Sequence, residues 1–596
     1  MFIKPEAYCL TPKAEGKAQK AQPIISNSLF TTHHSPNMSE TKNLPLLERV
    51  KVEGDALRGT IAESIKEELT GAVKEEDTLL MKFHGMYQQD DRDRREERAK
   101  KKLERLYSFM IRLRMPGGIL TSEQWLALND IAGKDSTNEL KITTRQTIQL
   151  HGVLKSRLKP THQIFNSVHL DTIAACGDDN RNVTCSPNPV QSPLHDEIFG
   201  YASKISSMLK PKTRAYYEIF LDEEKIVDKK LEEDTLYRDS YLPRKFKVGI
   251  CIPPNNDIDV FGNDLGLIAI IENNKLVGFN FAIGGGLAFT FGNPDTYARL
   301  ATEIGFVEAG EKTFKAIYEV VTVQRDNGDR VDRKQARLKY TIDKMGVENF
   351  KEEVEKRMGF KFEKSKPYVF TKREDYYGWQ QDVKGNWFYT LFVENGRVMD
   401  TEQVAIKSAL HKIAKTGKVN FRCTVNQKAI VSDVKPENKN EINDILEEFK
   451  IIEHTDNASV VRKNSMACVA LPTCPLALAE SQRYLPSLLT KIEVLLSKYD
   501  LANENIITRM TGCPNGCGRS SVSEIGFIGT GTGKYNLNLG GDHEGYRLNK
   551  LYKESLDEKG LLSELDFLFG DFKKERVNNE SFGDFTFRKL FKDGKD

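Results

Sequence analysis

Two short stretches of this chain occur twice, in the same order, and that repetition limits the available folds more than any other feature. Phe279-Asn-Phe-Ala-Ile-Gly-Gly-Gly286 resembles Tyr535-Asn-Leu-Asn-Leu-Gly-Gly-Asp542, and Ile142-Thr-Thr-Arg-Gln146 resembles Cys423-Thr-Val-Asn-Gln427. The offsets are 256 residues (279 to 535) and 281 residues (142 to 423). Two matches at similar offsets predict a duplicated module of about 250 to 280 residues. The 596-residue chain has room for both copies. At about 150 residues per domain its length suggests about four domain-sized units, or fewer large ones.

The local patterns mix strands and helices. Phe109–Met115 and Lys141–Val153 read as strands, the latter with Ile142, Ile148 and Leu150 as its apolar positions, and Gly117-Gly118 punctuates the first. Ser122–Ala132 and Leu158–Val168 read as helices. The spacing lacks a regular parallel repeat, so the expected class is α+β. Lys74 to Arg105 is dense in charge and reads as a solvated arm or helix face. Met1 to about Asn43 is polar, carries Pro5, Pro12, Pro23 and Pro36, and lacks an apolar signal core. It reads as a disordered extension. Glu6 and Glu15 count against a transit peptide, and Met38 offers a second start. The most apolar stretch, Phe279 to Phe291, is broken by Asn280 and three glycines. No membrane span of about 18 or more apolar residues is expected.

The 88 Lys and Arg residues nearly balance 86 Asp and Glu, a net charge of +2. That argues against a strongly basic nucleic-acid binder and against an acidic tail protein. Nine cysteines are too few for a disulfide scaffold and suggest an intracellular protein with a few dedicated thiols. Four of them, Cys468, Cys474, Cys513 and Cys517, form Cys-x5-Cys, a 38-residue gap, then Cys-x3-Cys. Clustered thiolates are soft ligands for an iron–sulfur cluster or zinc. Zinc ribbons prefer closer pairs, and inert buried thiols do not usually sit in Gly/Pro-rich loops. Spacing favours the iron–sulfur reading and leaves zinc and structural thiols open. Cys9, Cys176, Cys185, Cys251 and Cys423 are scattered and read as incidental, so Cys176→Ser is expected to be nearly silent. Gly529-Thr-Gly-Thr-Gly533 lacks the dinucleotide fingerprint, and no P-loop is present.

The setting of the four cysteines, Asn464-Ser-Met-Ala-Cys-Val-Ala-Leu-Pro-Thr-Cys-Pro475 and Thr511-Gly-Cys-Pro-Asn-Gly-Cys-Gly-Arg519, is similar to that in the sirohaem-dependent sulfite and nitrite reductases. Within that family the likeness is greatest to the haemoprotein (beta) subunits of NADPH-dependent assimilatory sulfite reductases. It runs from about Leu57 to Phe582-Gly-Asp-Phe-Thr586. It includes Phe83-His-Gly-Met-Tyr-Gln-Gln-Asp-Asp-Arg-Asp93, Thr144-Arg-Gln-Thr-Ile-Gln-Leu-His-Gly152, Asn180-Arg-Asn-Val183 and Tyr241-Leu-Pro-Arg-Lys-Phe-Lys247.

The resemblance implies duplicated modules with pseudo-two-fold symmetry around one sirohaem–[4Fe-4S] site. Residues 1–45 are then a disordered extension and 46–105 an N-terminal arm. Residues 106–173 and 376–455 would be ferredoxin-like half-domains of one central domain. Residues 174–375 would be a first module, and 456–596 a second carrying the cofactor ligands. Cys468, Cys474, Cys513 and Cys517 would bind the cluster, and Cys517 the sirohaem iron as well. Arg112, Arg181, Lys245 and Lys247 would meet the substrate. Arg145 and Gln149 would contact sirohaem, with His151 a hydrogen-bonding residue rather than an iron ligand. The implied activity is the six-electron reduction of sulfite to sulfide for cysteine biosynthesis in the cytoplasm. NADPH, FAD and FMN would act only through a partner flavoprotein (alpha) subunit. The alternatives are a ferredoxin-dependent sulfite or nitrite reductase, and a non-catalytic iron–sulfur or zinc protein.

Residue chemistry is compatible with these roles. In an extended strand Lys245 and Lys247 share a face with Phe246 opposite, and Arg112 and Arg114 flank Leu113 in the same way. Arg145, Gln149 and His151 are expected on one face of a Thr144–Gly152 strand. Arginine binds oxyanions bidentately, while lysine is the better proton donor. The second copy carries all four cysteines and the first supplies Arg181, Lys245 and Lys247, which suggests duplication followed by divided labour.

Overall fold

The computed structural model describes residues 44–591, except 214–218, 222–223 and 228–233. The expected N-terminal extension, Met38 and Cys9 lie outside the described residues.

Four five-stranded sheets form two matched pairs. One half-domain sheet runs Met86–Asp90, Tyr107–Arg112, Ile148–Val153, Leu140–Ile142, Arg397–Val398, antiparallel throughout. Its counterpart runs Gly378–Gln381, Trp387–Leu391, Ala429–Val434, Asn420–Cys423, Ile119–Thr121, also antiparallel throughout. The fifth strand of each sheet comes from the other half of the sequence. This exchange knits the halves around one apolar core. The Ser122–Asp135 helix, opened by a Thr121/Gln124 capping box, packs on the Ile406–Lys415 helix of the other half. Its Trp125 stacks on Phe421 at 4.5 Å between ring centroids. Burying each such side chain contributes about 1.5–3 kcal/mol or more.

The module sheets match just as closely. The first runs Thr184–Cys185, Val248–Cys251, Leu265–Glu272, Lys275–Ile283, Thr302–Glu308. The second runs Ser465–Ala467, Thr508–Thr511, Ile525–Gly531, Lys534–Leu539, Lys550–Leu556. In both, the first three strands are parallel and the last two antiparallel. Each half of the longer sequence repeat contributes the fourth strand of its sheet. The duplication expected from two short matches is therefore present as a shared topology, within an α+β fold.

The shorter repeat marks where half-domain meets module. Gln146 and Gln427 occupy equivalent hairpin turns, both with positive φ. The Gln146 amide donates to Cys185 O (2.7 Å) and accepts from Cys185 N (2.8 Å). The Gln427 amide does the same with Ala467, at 2.9 and 3.2 Å. Each amide thus completes the pairing of a module's first strand. Gln146 Nε2 also reaches Cys423 O in the opposite hairpin (3.2 Å), and Gln427 Nε2 reaches Ile142 O (3.5 Å). Gly118 and Gly396, at φ +76° and +69°, let the hairpins approach this closely. A Cβ at either would lie 2.7 Å from Cys423 O or 2.3 Å from Ile142 O.

Several local expectations change. Lys141–Val153 is a hairpin, because Thr143 N bonds Thr147 O (2.9 Å) and Gln146 N bonds Thr143 O (3.1 Å). Arg145 therefore sits in the turn, off the strand face shared by Gln149 and His151. The charged 74–105 stretch is only partly a solvated face. Its Arg95–Lys100 helix has no buried residue, but Met86–Asp90 is an edge strand of the first half-domain sheet. Gly529–Gly533 falls at a hairpin between two strands of the second module.

Gln146→Leu should destabilise the fold by about 1–3 kcal/mol, because it leaves both backbone groups of buried Cys185 without that partner. A denaturant midpoint equal to that of the parent protein would refute this role.

Candidate functional site

A cavity of about 440 Å³ opens over one face of the first half-domain sheet. Alternate residues of neighbouring strands form its floor, namely Tyr87 and Gln89, Met110 and Arg112, Gln149 and His151, and Lys141. Residues from both modules form the walls. All ten side chains singled out in the sequence line this one cavity: Arg112, Arg145, Gln149, Arg181, Lys245, Lys247 and the four cysteines.

Arg112 and Gln149 face each other across adjacent strands. Arg112 Nε and Nη2 both donate to Gln149 Oε1, at 2.8 and 2.6 Å. Its Nη1 lies 3.3 Å from both Ala175 O and Cys176 Sγ. Cys176 is thus not incidental, as its scattered position suggested, because it touches a cavity arginine. Arg114 is directed to Asp171 (Nε to Oδ1, 2.8 Å) and does not line the cavity. Arg181 donates to Gly177 O at 3.1 and 2.8 Å and lies 3.8 Å from Asp179. Desolvation opposes its charge, but Tyr87, Cys176 and Asp179 hold its pKa above the ordinary arginine value.

Lys245 and Lys247 precede the Val248–Cys251 strand, not within it. The backbone of Phe246 between them is held by Arg181 N (2.8 Å) and Asp179 O (2.9 Å), and its ring is buried. Both lysines accordingly line the cavity. Desolvation, reinforced by Arg244 and Arg337 at Lys245 and by Arg337 and Lys245 at Lys247, pushes both pKa values well below the ordinary lysine value. Arg145 works partly as a strut, donating to Asn263 Oδ1 (2.5 Å), Asn182 O (2.5 Å) and Val248 O (2.9 Å), while its Nε has no protein partner.

The cysteines converge for a topological reason. Ser465–Ala467 and Thr508–Thr511 are parallel neighbours, so the loops after them leave the same end of the sheet. Gly512 N (3.3 Å) and Thr511 Oγ1 (3.6 Å) donate to Cys468 Sγ, and Asn515 Nδ2 donates to Cys513 Sγ (3.3 Å). None of the four is in a disulfide. Desolvation, then the proximity of Cys517, pushes Cys474 up to about 12 and Cys513 to about 11. Metal ligation reverses such shifts by binding the thiolate. Among the described residues no three Cys, His, Asp or Glu side chains gather tightly enough for a single ion. Four thiols around one cavity, with amide donors to their sulfurs, fit a [4Fe-4S] core. Cys517 is the exposed member of the set and also lines the cavity.

The first module has no counterpart to this thiol set. Gln146 holds Cys185 as Gln427 holds Ala467, and the next residues are Ser186 and Cys468. Asp257 stands eight residues before the strand at Leu265, as Cys517 stands eight before Ile525. Ser186 Oγ donates to Asp257 Oδ1 at 2.7 Å, and both are buried. A hydrogen bond closes this corner where the second copy has thiols.

Eleven Lys and Arg side chains line the cavity against two carboxylates, Asp178 and Asp259. So much enclosed positive charge is unfavourable unless anions share the space. A sirohaem with eight carboxylates and a dianionic substrate fit that excess. Sequence reasoning missed Lys82, Lys141, Arg244, Arg333, Arg337 and Arg519 among these. Lys141 was the most findable, since it pairs opposite Gln149 in the hairpin. Desolvation lowers its pKa to about 7, and its Nζ donates to Asn395 O. Arg333 and Arg337 carry no local signal.

Asp259 joins the modules. Arg509 Nη1 (2.6 Å) and Arg519 Nη1 (2.8 Å) both donate to its Oδ2, and Arg373 Nη1 lies 3.5 Å from Oδ1. Burial alone would raise its pKa, but Arg509, Arg373 and Arg519 hold it well below the carboxylate range. A depressed carboxyl pKa stabilises the fold above the ordinary carboxylate range, and that contribution is lost as pH falls through the folded value. Asp259→Asn should therefore cost about 3–5 kcal/mol at neutral pH by leaving buried arginines unpaired. Equilibrium denaturation measures this, and a loss below 1 kcal/mol would overturn it.

Comparison with known proteins agrees with this geometry. Residues 102–168 and 380–449 match the nitrite/sulfite reductase ferredoxin-like half domain, and residues 200–362 match the nitrite and sulphite reductase 4Fe-4S domain. The chain is 60% identical over 551 residues to the sulfite reductase [NADPH] hemoprotein beta-component of Leptospira biflexa, covering 92% of this chain and 99% of the relative. It is 51% identical to the protein of the same name from Staphylococcus haemolyticus, covering 92% and 95%. The solved structure of the Mycobacterium tuberculosis NirA protein shares the fold, with a TM-score of 0.74 at 23% identity over 91% of this chain and 96% of that one. With its duplicated modules and four converging thiols, the chain belongs to the nitrite and sulfite reductase family.

Proposed function

We propose that this chain is the catalytic haemoprotein of an assimilatory sulfite reductase, serving cysteine biosynthesis in the cytoplasm. The observation that carries this reading is the single cavity in which four thiols meet eleven cationic side chains. The balanced reaction takes sulfite, six electrons and seven protons to hydrosulfide and three waters. In this reading Cys468, Cys474, Cys513 and Cys517 would hold the [4Fe-4S] cluster, Cys517 would also hold the sirohaem, and Arg145 and Gln149 would contact the sirohaem. Bound there, the two cofactors would supply the electrons and the redox-active iron.

The remaining chemistry belongs to the protein. Arg112 and Arg181 bind the oxyanion through their guanidinium donors. Lys245 and Lys247 deliver protons to departing oxygens. Desolvation and the neighbouring arginines make each ammonium a stronger acid than free lysine, which suits a proton donor near neutral pH. The names of the relatives support a separate flavoprotein (alpha) subunit that takes electrons from NADPH. We also assign the segments as 46–105 an arm, 106–173 with 376–455 a central domain, 174–375 the first module and 456–596 the second. Among the described residues no helix is long and apolar enough to cross a membrane.

Cofactor-replete protein should show sirohaem absorption and reduce sulfite to sulfide with a reduced dye, and should use NADPH only with a flavoprotein added. A strong preference for nitrite would overturn the substrate assignment. Zinc as the sole metal would overturn the enzyme reading. Lys247→Ala should lower kcat about 10²-fold or more while leaving the haem and cluster spectra intact. Full sulfite turnover by that variant would remove Lys247 from the site.

A further inference from the structure

We propose that His151 is a positioning residue for anion capture, orienting the Gln149 amide so that its oxygen holds the Arg112 guanidinium. The identity of the anion rests on the sulfite reductase reading; the positioning role rests on geometry. Gln89, Arg112, Gln149 and His151 come from three adjacent strands and share the cavity floor. Arg112 has only N–H donors, so the Gln149 oxygen that receives its Nε and Nη2 must be an acceptor. Gln149 Nε2 lies 3.1 Å from His151 Nε2, and an amide nitrogen can only donate. His151 Nε2 is therefore unprotonated. The ring proton is on Nδ1, 3.2 Å from Gln89 Oε1, which accepts it. One chain of donors and acceptors thus runs from the guanidinium to Gln89, and every direction in it is set by the arginine.

The charged groups around the ring agree with that polarity. Desolvation, then Lys141 and Arg112, keep the imidazole neutral, with its pKa lowered to about 3. A ring carrying a proton on Nε2 would face the Gln149 NH₂ with a second donor. The amide would then turn, presenting its nitrogen to the guanidinium, and Arg112 would lose two hydrogen bonds at once. What remains for it is Nη1 to Ala175 O and Cys176 Sγ at 3.3 Å. The held geometry leaves the second Nη2–H without an acceptor among the described residues, available to an anion. The single ring proton is committed to Gln89, so His151 is a poor candidate for a proton donor in the reaction.

The test uses the full, cofactor-loaded chain. His151→Leu removes the acceptor of the Gln149 amide and should raise KM for sulfite about tenfold, with kcat changed less than threefold and haem and cluster spectra unchanged. The Kd for sulfite on the resting protein, read by calorimetry, should rise by the same factor. His151→Gln restores an acceptor oxygen and should recover most of the affinity with the parent pH profile. In a Gln149→Leu background His151→Leu should add nothing, since the two side chains act as one unit. Parent-like KM and Kd in His151→Leu would overturn the proposal, as would effects that add in the double variant. Collapse of kcat in both His151 variants at unchanged KM would instead identify a proton donor and also overturn it. If His151→Leu fails to load cofactors, Gln89→Leu removes the acceptor that keeps the proton on Nδ1. A raised KM and Kd there supports the role, and unchanged values overturn it. The Kd measurement reads the anion site without turnover. A protein that failed to reduce sulfite would sink the functional reading while the effect of His151 on Kd was still decided.

Discussion

A single buried carboxylate sets the position of the cofactor loops. Asp259 belongs to the first module, yet it receives Arg509 and Arg519 of the second, and it lies beside Arg373 near the end of its own module. Arg509 is in the strand that leads into the Cys513 loop, and Arg519 stands two residues past Cys517. The carboxylate thus grips the Cys513–Cys517 loop from both sides. Arg519 Nη2 also donates to Thr144 O (2.6 Å), and Thr144 Oγ1 donates to Cys517 O (2.9 Å). Cys517 is therefore placed by the module and half-domain that carry none of the four clustered cysteines. Asp259 and Arg519 occupy matching positions in the two copies, each in the left-handed region just before a short helical turn. A contact between equivalent residues forms where a pseudo-two-fold axis brings two copies of one position together.

The same symmetry explains how one site came from two copies. Gln146 and Gln427 perform the same task on both sides, and the strand exchange makes neither half-domain sheet complete without the other. Structural positions kept their chemistry, while the corners next to them diverged. In one copy Cys468 and Cys517 present thiols; in the other Ser186 and Asp257 bond to each other and close the space. Among the described residues the four clustered thiols belong to one copy, and the first module contributes Arg181, Lys245 and Lys247 to the lining of the same cavity.

Much of this was legible in the sequence, for identifiable reasons. A cluster needs four thiols on two loops, and that need leaves a dense local signature. Strand pairs in duplicated sheets keep their apolar alternation and their turn glycines, so Phe279 and Tyr535 could be matched. Lys245 and Lys247 share a face in any extended segment, even one that is not a strand. What could not be read depends on long-range pairing. The 143–147 turn interrupts a stretch whose apolar spacing suits a single strand, which misplaced Arg145. The Met86–Asp90 edge strand is hidden within a charged run. Cys176 lies 64 residues from the arginine it touches, and nothing near it in sequence marks that contact.

The cavity's charge excess gives these arginines and lysines linked tasks. Enclosure and like-charged neighbours lower the proton affinity of Lys245 and Lys247. An anion placed beside them raises it again, by the same Coulombic interaction with opposite sign. A polycarboxylate cofactor and a dianion therefore favour charged lysines where neutral ones would otherwise be preferred. Each oxygen leaves as water while two electrons and two protons enter, so the charge of the bound species is unchanged and only an acceptor oxygen beside the lysines is lost. A guanidinium is the poorer proton donor of the two and the better bidentate partner for an oxyanion. In the proposed mechanism, binding by guanidinium and donation from desolvated ammonium separate two tasks that either side chain alone would perform poorly.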